Sequence, residues 1–363
     1  MRYLKNDLCR YVIVCNSIDT VVQRVILPCY VARSSKSLCV DMKIAVIGGT
    51  GFVGSYIVDA LADAGHAVSL LVRPGSEHKV VESGTLRTIK GDLAARDALQ
   101  AVVEGCDAVV YCVGILRENR ARGITFEALQ YQGVADTVAA AREAGVERFL
   151  LMSANGVRRP GTPYQETKLR AEELVLDCGL DATVFRPSVV FGDPRGRMEI
   201  ATQLYRDMVK PPIPAVGFYN GLVPANGQLM MSPVYVKDVA QAFVAALTDS
   251  RSIGRIYTLG GPDDLSWTEL IRRVAKTASR DKWVVPCPIG MMKFVATLFA
   301  WQSFFPVTPD QLTMLAGGNT VDTDDVAELT GQAPCAFSVE NLSYLANDAV
   351  SNASSSLPNE VSR

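Results

Sequence analysis

The chain has 363 residues, 48 % hydrophobic and 20 % charged, with 36 Lys and Arg against 38 Asp and Glu for a net charge of −2. That length holds two or three modest domains or one large one, and it excludes a fibrous or wholly disordered chain. The charge balance argues against a protein that grips nucleic acid by bulk phosphate neutralisation, and two histidines, His66 and His78, exclude a His-rich metal centre.

Residues 1–41 differ from the rest. They hold Cys9, Cys15, Cys29 and Cys39, four of the nine cysteines, but only short apolar runs. No cysteine pair is spaced C-x-x-C, which removes a zinc ribbon or thioredoxin-like motif, and the odd count in a long chain suggests reduced thiols in a cytosolic compartment. Without an apolar core of secretory length and a small-residue cleavage site, this stretch is not expected to be a secretory signal. It reads as an extension outside the fold, or as sequence preceding a true start at Met42.

From Met42 the pattern becomes regular. Strands are predicted at Lys43–Ile47, Ala67–Val72, Leu86–Ile89, Ala108–Cys112, Arg148–Met152 and Ala182–Phe185. Helices are predicted at Gly54–Ala64, Ala94–Val103, Phe126–Ala144 and Tyr164–Asp177. Continuous apolar strands alternating with helices mean a parallel sheet covered on both faces. The prediction for 42–186 is therefore an α/β, doubly wound, Rossmann-type domain. After Pro187, prolines and glycines cluster. Helices are expected at Glu199–Val209, Asp238–Leu247 and Trp267–Ala278, with strands near Leu229–Val234 and Ile256–Leu259. This makes 187–345 a smaller mixed substrate lobe that can return strands to the main sheet. Residues 346–363, rich in Asn and Ser, are expected to be disordered. No apolar run reaches the 18 residues that would span a bilayer. Ile289–Phe305 comes nearest. It reads first as a core helix, and more sharply as one facing a membrane surface or a partner.

Gly48-Gly49-Thr50-Gly51-Phe52-Val53-Gly54 follows a strand and opens a helix, and it satisfies G-x-x-G-x-x-G. Glycines there allow a tight turn and let the backbone touch a pyrophosphate. The helix start, at Phe52 and Val53, offers free N–H groups and the positive dipole end. The second strand ends in Arg73, with no acid between Asp63 and Glu77. An acid would bond ribose hydroxyls, whereas an arginine grips a 2′-phosphate, so NADP(H) is favoured over NAD(H). Asp92 and Leu93, after the third strand, are placed at the adenine edge. Gly114 would let the chain pass close to the cofactor. The alternative for Arg73 is an ordinary surface arginine, and Arg117–Arg122 reads mainly as a solvated loop.

Tyr164 and Lys168 stand four residues apart, on one face of a helix. A nearby ammonium is expected to lower a tyrosine pKa from about 10. Such a tyrosine can exchange a proton with a substrate oxygen while nicotinamide exchanges hydride. Asp238 reads equally as a helix N-cap or a site residue.

With these motifs, and with Arg186–Gly192 and Val234–Ala240, the chain resembles the extended and atypical short-chain dehydrogenase/reductase superfamily (NAD-dependent epimerase/dehydratase-like) over about 42–261. Gly260-Gly261-Pro262 and Thr308–Leu315 extend a narrower likeness, to bacterial relatives of the nucleotide-binding accessory subunit of respiratory complex I. The resemblance implies a Ser or Thr after the fifth strand as third catalytic member. Ser153 is near that place, but the superfamily pattern puts the hydroxyl nearer Asn155. The resemblance also puts Pro187 and Ser188 at the nicotinamide end. Two functions are consistent with this. One is an NAD(P)-dependent oxidoreductase or epimerase-like enzyme acting on a hydroxyl or carbonyl of an unknown small molecule. The other is a non-catalytic accessory or assembly protein that holds NADP(H) for a membrane respiratory complex. The expected location is cytoplasmic, with possible peripheral attachment to the inner face of a membrane. No nucleic-acid partner and no metal are expected.

Overall fold

The computed structural model describes residues 41–80, 84–221, 223, 227–298, 308–322 and 324–346. The proposed N-terminal extension through residue 40, the expected disordered tail from 347 and the end of Ile289–Phe305 lie outside the described residues.

Seven parallel strands form one sheet whose spatial order, counted by their sequence in the chain, is seventh, sixth, fifth, fourth, first, second, third. In sequence they are β1 (Lys43–Ile47), β2 (Ala67–Val72), β3 (Leu86–Lys90), β4 (Ala108–Tyr111), β5 (Arg148–Met152), β6 (Asp181–Pro187) and β11 (Ile256–Leu259). The apolar runs of β1, β2, β4, β5 and β6 are buried on both faces, as inner parallel strands require, while the edge strand β3 is largely exposed. Helices α1 (Phe52–Asp63) and α6 (Val236–Thr248) cover one face; α2 (Arg96–Val103), α3 (Gly133–Glu143) and α4 (Pro163–Leu176) cover the other. The strand order reverses between β1 and β4, and ligands of open parallel sheets sit above the strand ends at such a reversal.

The part after β6 carries a third apolar cluster, built on Phe191, Leu204, Phe218, Trp267, Leu270, Ile271 and Phe337. It contains two short parallel strands, β8 (Ala215–Tyr219) and β13 (Val284–Pro288), and the helix α7 (Trp267–Thr277). A capping box fixes the start of α7: Ser266 Oγ accepts from Glu269 N at 3.2 Å, and Ser266 N donates to Glu269 at 2.8 Å. β11, which comes from the chain after β6, pairs with β6 at the edge of the main sheet.

Two predicted helices differ in winding. The stretch expected as one helix over Phe126–Ala144 begins with a wide π turn at Glu127–Gln132, and Glu199–Val209 ends in another at Tyr205–Val209. The first has a visible cause. Tyr111 Oη donates to Leu129 O at 2.5 Å, and Gln130 Nε2 donates to Ile115 O at 3.0 Å. These bonds draw the turn toward β4, and π turns of this kind often border functional sites. Asp238 is not the N-cap of α6, which is Tyr235. Its carboxylate instead accepts from Cys335 N at 2.7 Å and ties the later chain to α6.

Candidate active site

The glycine turn lies between β1 and α1. Gly48 has a φ of +96°, and its carbonyl accepts from Gly51 N at 3.0 Å. A Cβ at Gly48 would stand 2.9 Å from Val113 N, so only glycine lets the turn lie against the end of β4. The cap residue of α1, Gly51, offers no side-chain acceptor, and no acid stands in the first turn. The first N–H groups of α1, Phe52 and Val53 among them, are therefore left for an anion. Next to the turn lies a cleft with about 780 Å³ of space, open to solvent. Gly48, Thr50, Gly51, Arg73, Asp92, Leu93 and Gly114, all expected from sequence, line it. Phe52, Val53 and Gly54 are in the first turn behind it. Arg73 is exposed at the rim, without an ion-pair partner among the described residues. A positive-φ turn, unspent helix N–H groups and a free guanidinium suit a dinucleotide phosphate.

Thr162 begins α4 with a second capping box. Its Oγ1 accepts from Gln165 N at 3.4 Å, while Thr162 N donates to Gln165 Oε1 at 3.0 Å, and Pro163 starts the helix. Tyr164 thus lies in the first turn and Lys168 one turn on. The Tyr164 ring packs edge-to-face on Phe126, with centroids 5.7 Å apart. Its Oη has no hydrogen-bond partner among the described residues. Lys168 is 2 % exposed, and its Nζ donates to Met152 O at 2.9 Å and Val113 O at 3.3 Å. The ammonium is thus held at the ends of β4 and β5. Gly114 matters here too, since a Cβ there would stand 3.7 Å from Lys168 Nζ.

The expected lowering of the Tyr164 pKa by Lys168 is not found. Burial pushes Tyr164 up to about 12. Burial also lowers Lys168 from 10.5 to about 8, against smaller opposite effects of Cys112 and Glu172. At neutral pH Tyr164 is a phenol and Lys168 an ammonium close to its titration point. The lysine effect gives a stability prediction. The unfolded chain holds the Lys168 proton up to about pH 10.5, whereas the folded chain releases it near 8. Between those limits the unfolded state binds more protons, so this group makes stability rise with pH, by about 1–3 kcal/mol at most. Urea unfolding of the wild type and Lys168→Met checks it. Their stability difference should move toward the wild type across that window; a flat difference contradicts it.

After β5, Ser153 N donates to Phe185 O at 2.7 Å and Asn155 N to Pro187 O at 2.9 Å. Ser153 is 4 % exposed, and its Oγ is buried without a partner. Asn155 Nδ2 donates to Asn319 Oδ1 at 2.9 Å and to Thr320 O at 2.8 Å, so both amide hydrogens are spent. Ser188 Oγ donates to Asn319 O at 2.7 Å. The same strap thus occupies Asn155 and Ser188, and Ser153 keeps a free hydroxyl.

Sequence reasoning missed three participants. Glu172, 1 % exposed, follows Lys168 by four residues on α4, and Arg186 of β6 binds it through Nε at 3.0 Å and Nη2 at 2.5 Å. Its spacing was a usable signal, since Tyr164, Lys168 and Glu172 share a face. Asn319 is 164 residues from Asn155, and Arg197 donates through Nε to Thr50 O at 2.9 Å from 147 residues away. Neither had a local signal. Cys112, read as core, is buried, and its thiol donates to Ile47 O at 3.2 Å. Among the described residues no cluster of acids, Cys or His could hold a metal, and no helix is long and apolar enough to cross a membrane.

Residues 44–260 match the NAD dependent epimerase/dehydratase family. The chain is 30 % identical over 294 residues to NADH dehydrogenase [ubiquinone] 1 alpha subcomplex subunit 9, mitochondrial, of Arabidopsis thaliana, covering 77 % of this chain and 69 % of that protein. It is 26 % identical over 270 residues to a ceramide reductase of Caulobacter vibrioides, covering 72 % and 78 %. Among solved structures, gox2253 superposes with a TM-score of 0.67 at 24 % identity, over 86 % of this chain and 98 % of that one.

Proposed function

The chain belongs to the NAD dependent epimerase/dehydratase family, and from that premise we propose an NADP(H)-linked oxidoreductase or epimerase-like enzyme acting on a hydroxyl or carbonyl group. Residues 42–186 hold the coenzyme, and 187–345 form the lobe that meets the substrate. The single observation that carries this reading is the cleft itself. Its lining includes the glycine turn and Gly114, and Lys168, held at the ends of β4 and β5, lies next to Gly114.

Bound nicotinamide would supply or accept the hydride. The chain's own groups manage the proton. Tyr164, a phenol at neutral pH, donates to the oxygen of a carbonyl under reduction and takes the proton back in the other direction. Two Lys168 hydrogens are spent on backbone carbonyls, which leaves a third for the coenzyme ribose or the phenol. The Ser153 hydroxyl, buried and unspent, is the better donor to a substrate oxygen; Asn155 serves to hold the 319–320 strap. Pro187, the last residue of β6, and Ser188 after it border the nicotinamide end.

The similarity to a ceramide reductase supports turnover. The absence of an acid at the end of β2, with Arg73 at the rim, supports NADP(H). Arg73→Ala should weaken NADPH about 10- to 100-fold and leave NADH nearly unchanged, the size of a lost charge-assisted contact. Fluorescence titration of both nucleotides checks it, and an unchanged NADPH affinity contradicts it. The nucleotide released when freshly purified protein is denatured tests the coenzyme assignment.

A second reading, an accessory protein that holds the nucleotide without turnover, has its own observation. Trp283, Ile213 and Phe294 are 77 %, 66 % and 66 % exposed, which suits a partner or a membrane face. The similarity to a complex I alpha subcomplex subunit points the same way. On this reading the protein is cytoplasmic but peripheral to the inner face of a membrane, and its nucleotide exchanges slowly. Membrane fractionation at low salt separates the two readings. A fully soluble protein with freely exchanging nucleotide removes the second.

A further inference from the structure

Arg197 is half-buried on the loop after β7 (Val190–Phe191) and is held by backbone carbonyls alone. Its Nε donates to Thr50 O at 2.9 Å, Nη1 to Arg195 O at 3.2 Å and Nη2 to Lys79 O at 3.4 Å. Thr50 belongs to the glycine turn, and Lys79 to the segment after β2. These two segments flank the place where a dinucleotide's adenosine ribose lies. Three of the five guanidinium hydrogens are spent, two remain, and no carboxylate neutralises the charge. The acids near it are engaged elsewhere. Asp59, which shares the groove behind the turn, is bound by Arg195 at 2.5 Å, and Glu77 is bound by Lys90 at 3.0 Å and by Gly75 N at 2.7 Å. His78 and Lys79 line the same groove. Thr50 also lines the cleft together with Arg73. Thr50 thus shares the cleft with Arg73 and is bonded through its carbonyl by Arg197, which lines the adjoining groove, in a basic setting whose acids are already paired.

We propose that Arg197 is a specificity-determining residue, a second cation for the 2′-phosphate of NADP(H) that acts together with Arg73. The assignment rests on the NADP(H) reading above. A group brought from the far side of β6 also gives the substrate half of the chain a direct hold on the coenzyme half.

The test uses the full chain, with NADPH, NADH and 2′,5′-ADP titrated against wild type, Arg197→Ala and Arg197→Gln, and thermal melts of each. Glutamine keeps two N–H donors for the Thr50 and Lys79 carbonyls but removes the charge, so it separates bracing from anion recognition and decides the case should the alanine variant not fold. NADPH and 2′,5′-ADP should weaken about 10- to 100-fold in both variants and NADH by less than about 3-fold, with a shallower salt dependence for NADPH. Equal weakening of NADPH and NADH, or none, overturns the assignment. Wild type preferring NADH would instead overturn the coenzyme reading on which it rests. Wild type preferring NADPH with an unmoved ratio in the variants removes Arg197 alone.

Discussion

Gly54→Ala should abolish dinucleotide binding. A Cβ at this position would stand 2.3 Å from Gly48 O, 2.8 Å from Gly49 Cα and 2.9 Å from Cys112 Sγ. Two of these atoms are backbone of the turn itself, so the conflict is relieved only by opening the turn or pushing α1 off the sheet. Either movement removes the amides from where the pyrophosphate would meet them. The expected loss is at least about 100-fold in affinity, or roughly 2.7 kcal/mol, beside an overpacking cost of about 1–3 kcal/mol in stability. Calorimetric titration with thermal melting checks both. Gly290→Ala is the control, since nothing lies within 4 Å of its added Cβ. A folded Gly54→Ala protein that binds as tightly as wild type contradicts the account of the turn.

Tyr164→Phe should lower turnover by about 10²- to 10⁴-fold, the range for a lost general acid, and leave nucleotide affinity unchanged. The substitution is clean because Tyr164 Oη makes no hydrogen bond among the described residues. Its ring contact with Phe126 survives in phenylalanine, so the fold should lose little. Steady-state rates and nucleotide titration on one preparation separate chemistry from binding. Undiminished turnover removes Tyr164 from the reaction, whereas a wild type that binds nucleotide but shows no turnover favours the accessory reading.

The parallel sheet was legible because its strands are local. Runs such as Ala108–Tyr111 are apolar on both faces, and glycines such as Gly65 and Gly145, with φ of +88° and +73°, mark helix ends beside them. The glycine turn was legible for the same reason: its seven residues are contiguous. Non-local closure was not legible. Asn155 looked available for a substrate because nothing nearby in sequence claims its amide, yet Asn319 and Thr320 take both hydrogens. The Tyr164 ionisation was misjudged likewise. Spacing put a cation one helical turn away, but Lys168 is drawn to the carbonyls of Met152 and Val113, and burial governs both groups. The π turn at Glu127–Gln132 depends on Tyr111, which reaches across from β4, so its helical periodicity gave no warning.

Isothermal calorimetry of the full chain with NADPH, NADP⁺, NADH and NAD⁺ tests the central claim most directly. Saturable binding of one nucleotide per chain, tighter for the 2′-phosphorylated pair and lost in Gly54→Ala, is the predicted result. No heat with any of the four, from a protein that melts cooperatively, would contradict a coenzyme seated at the glycine turn.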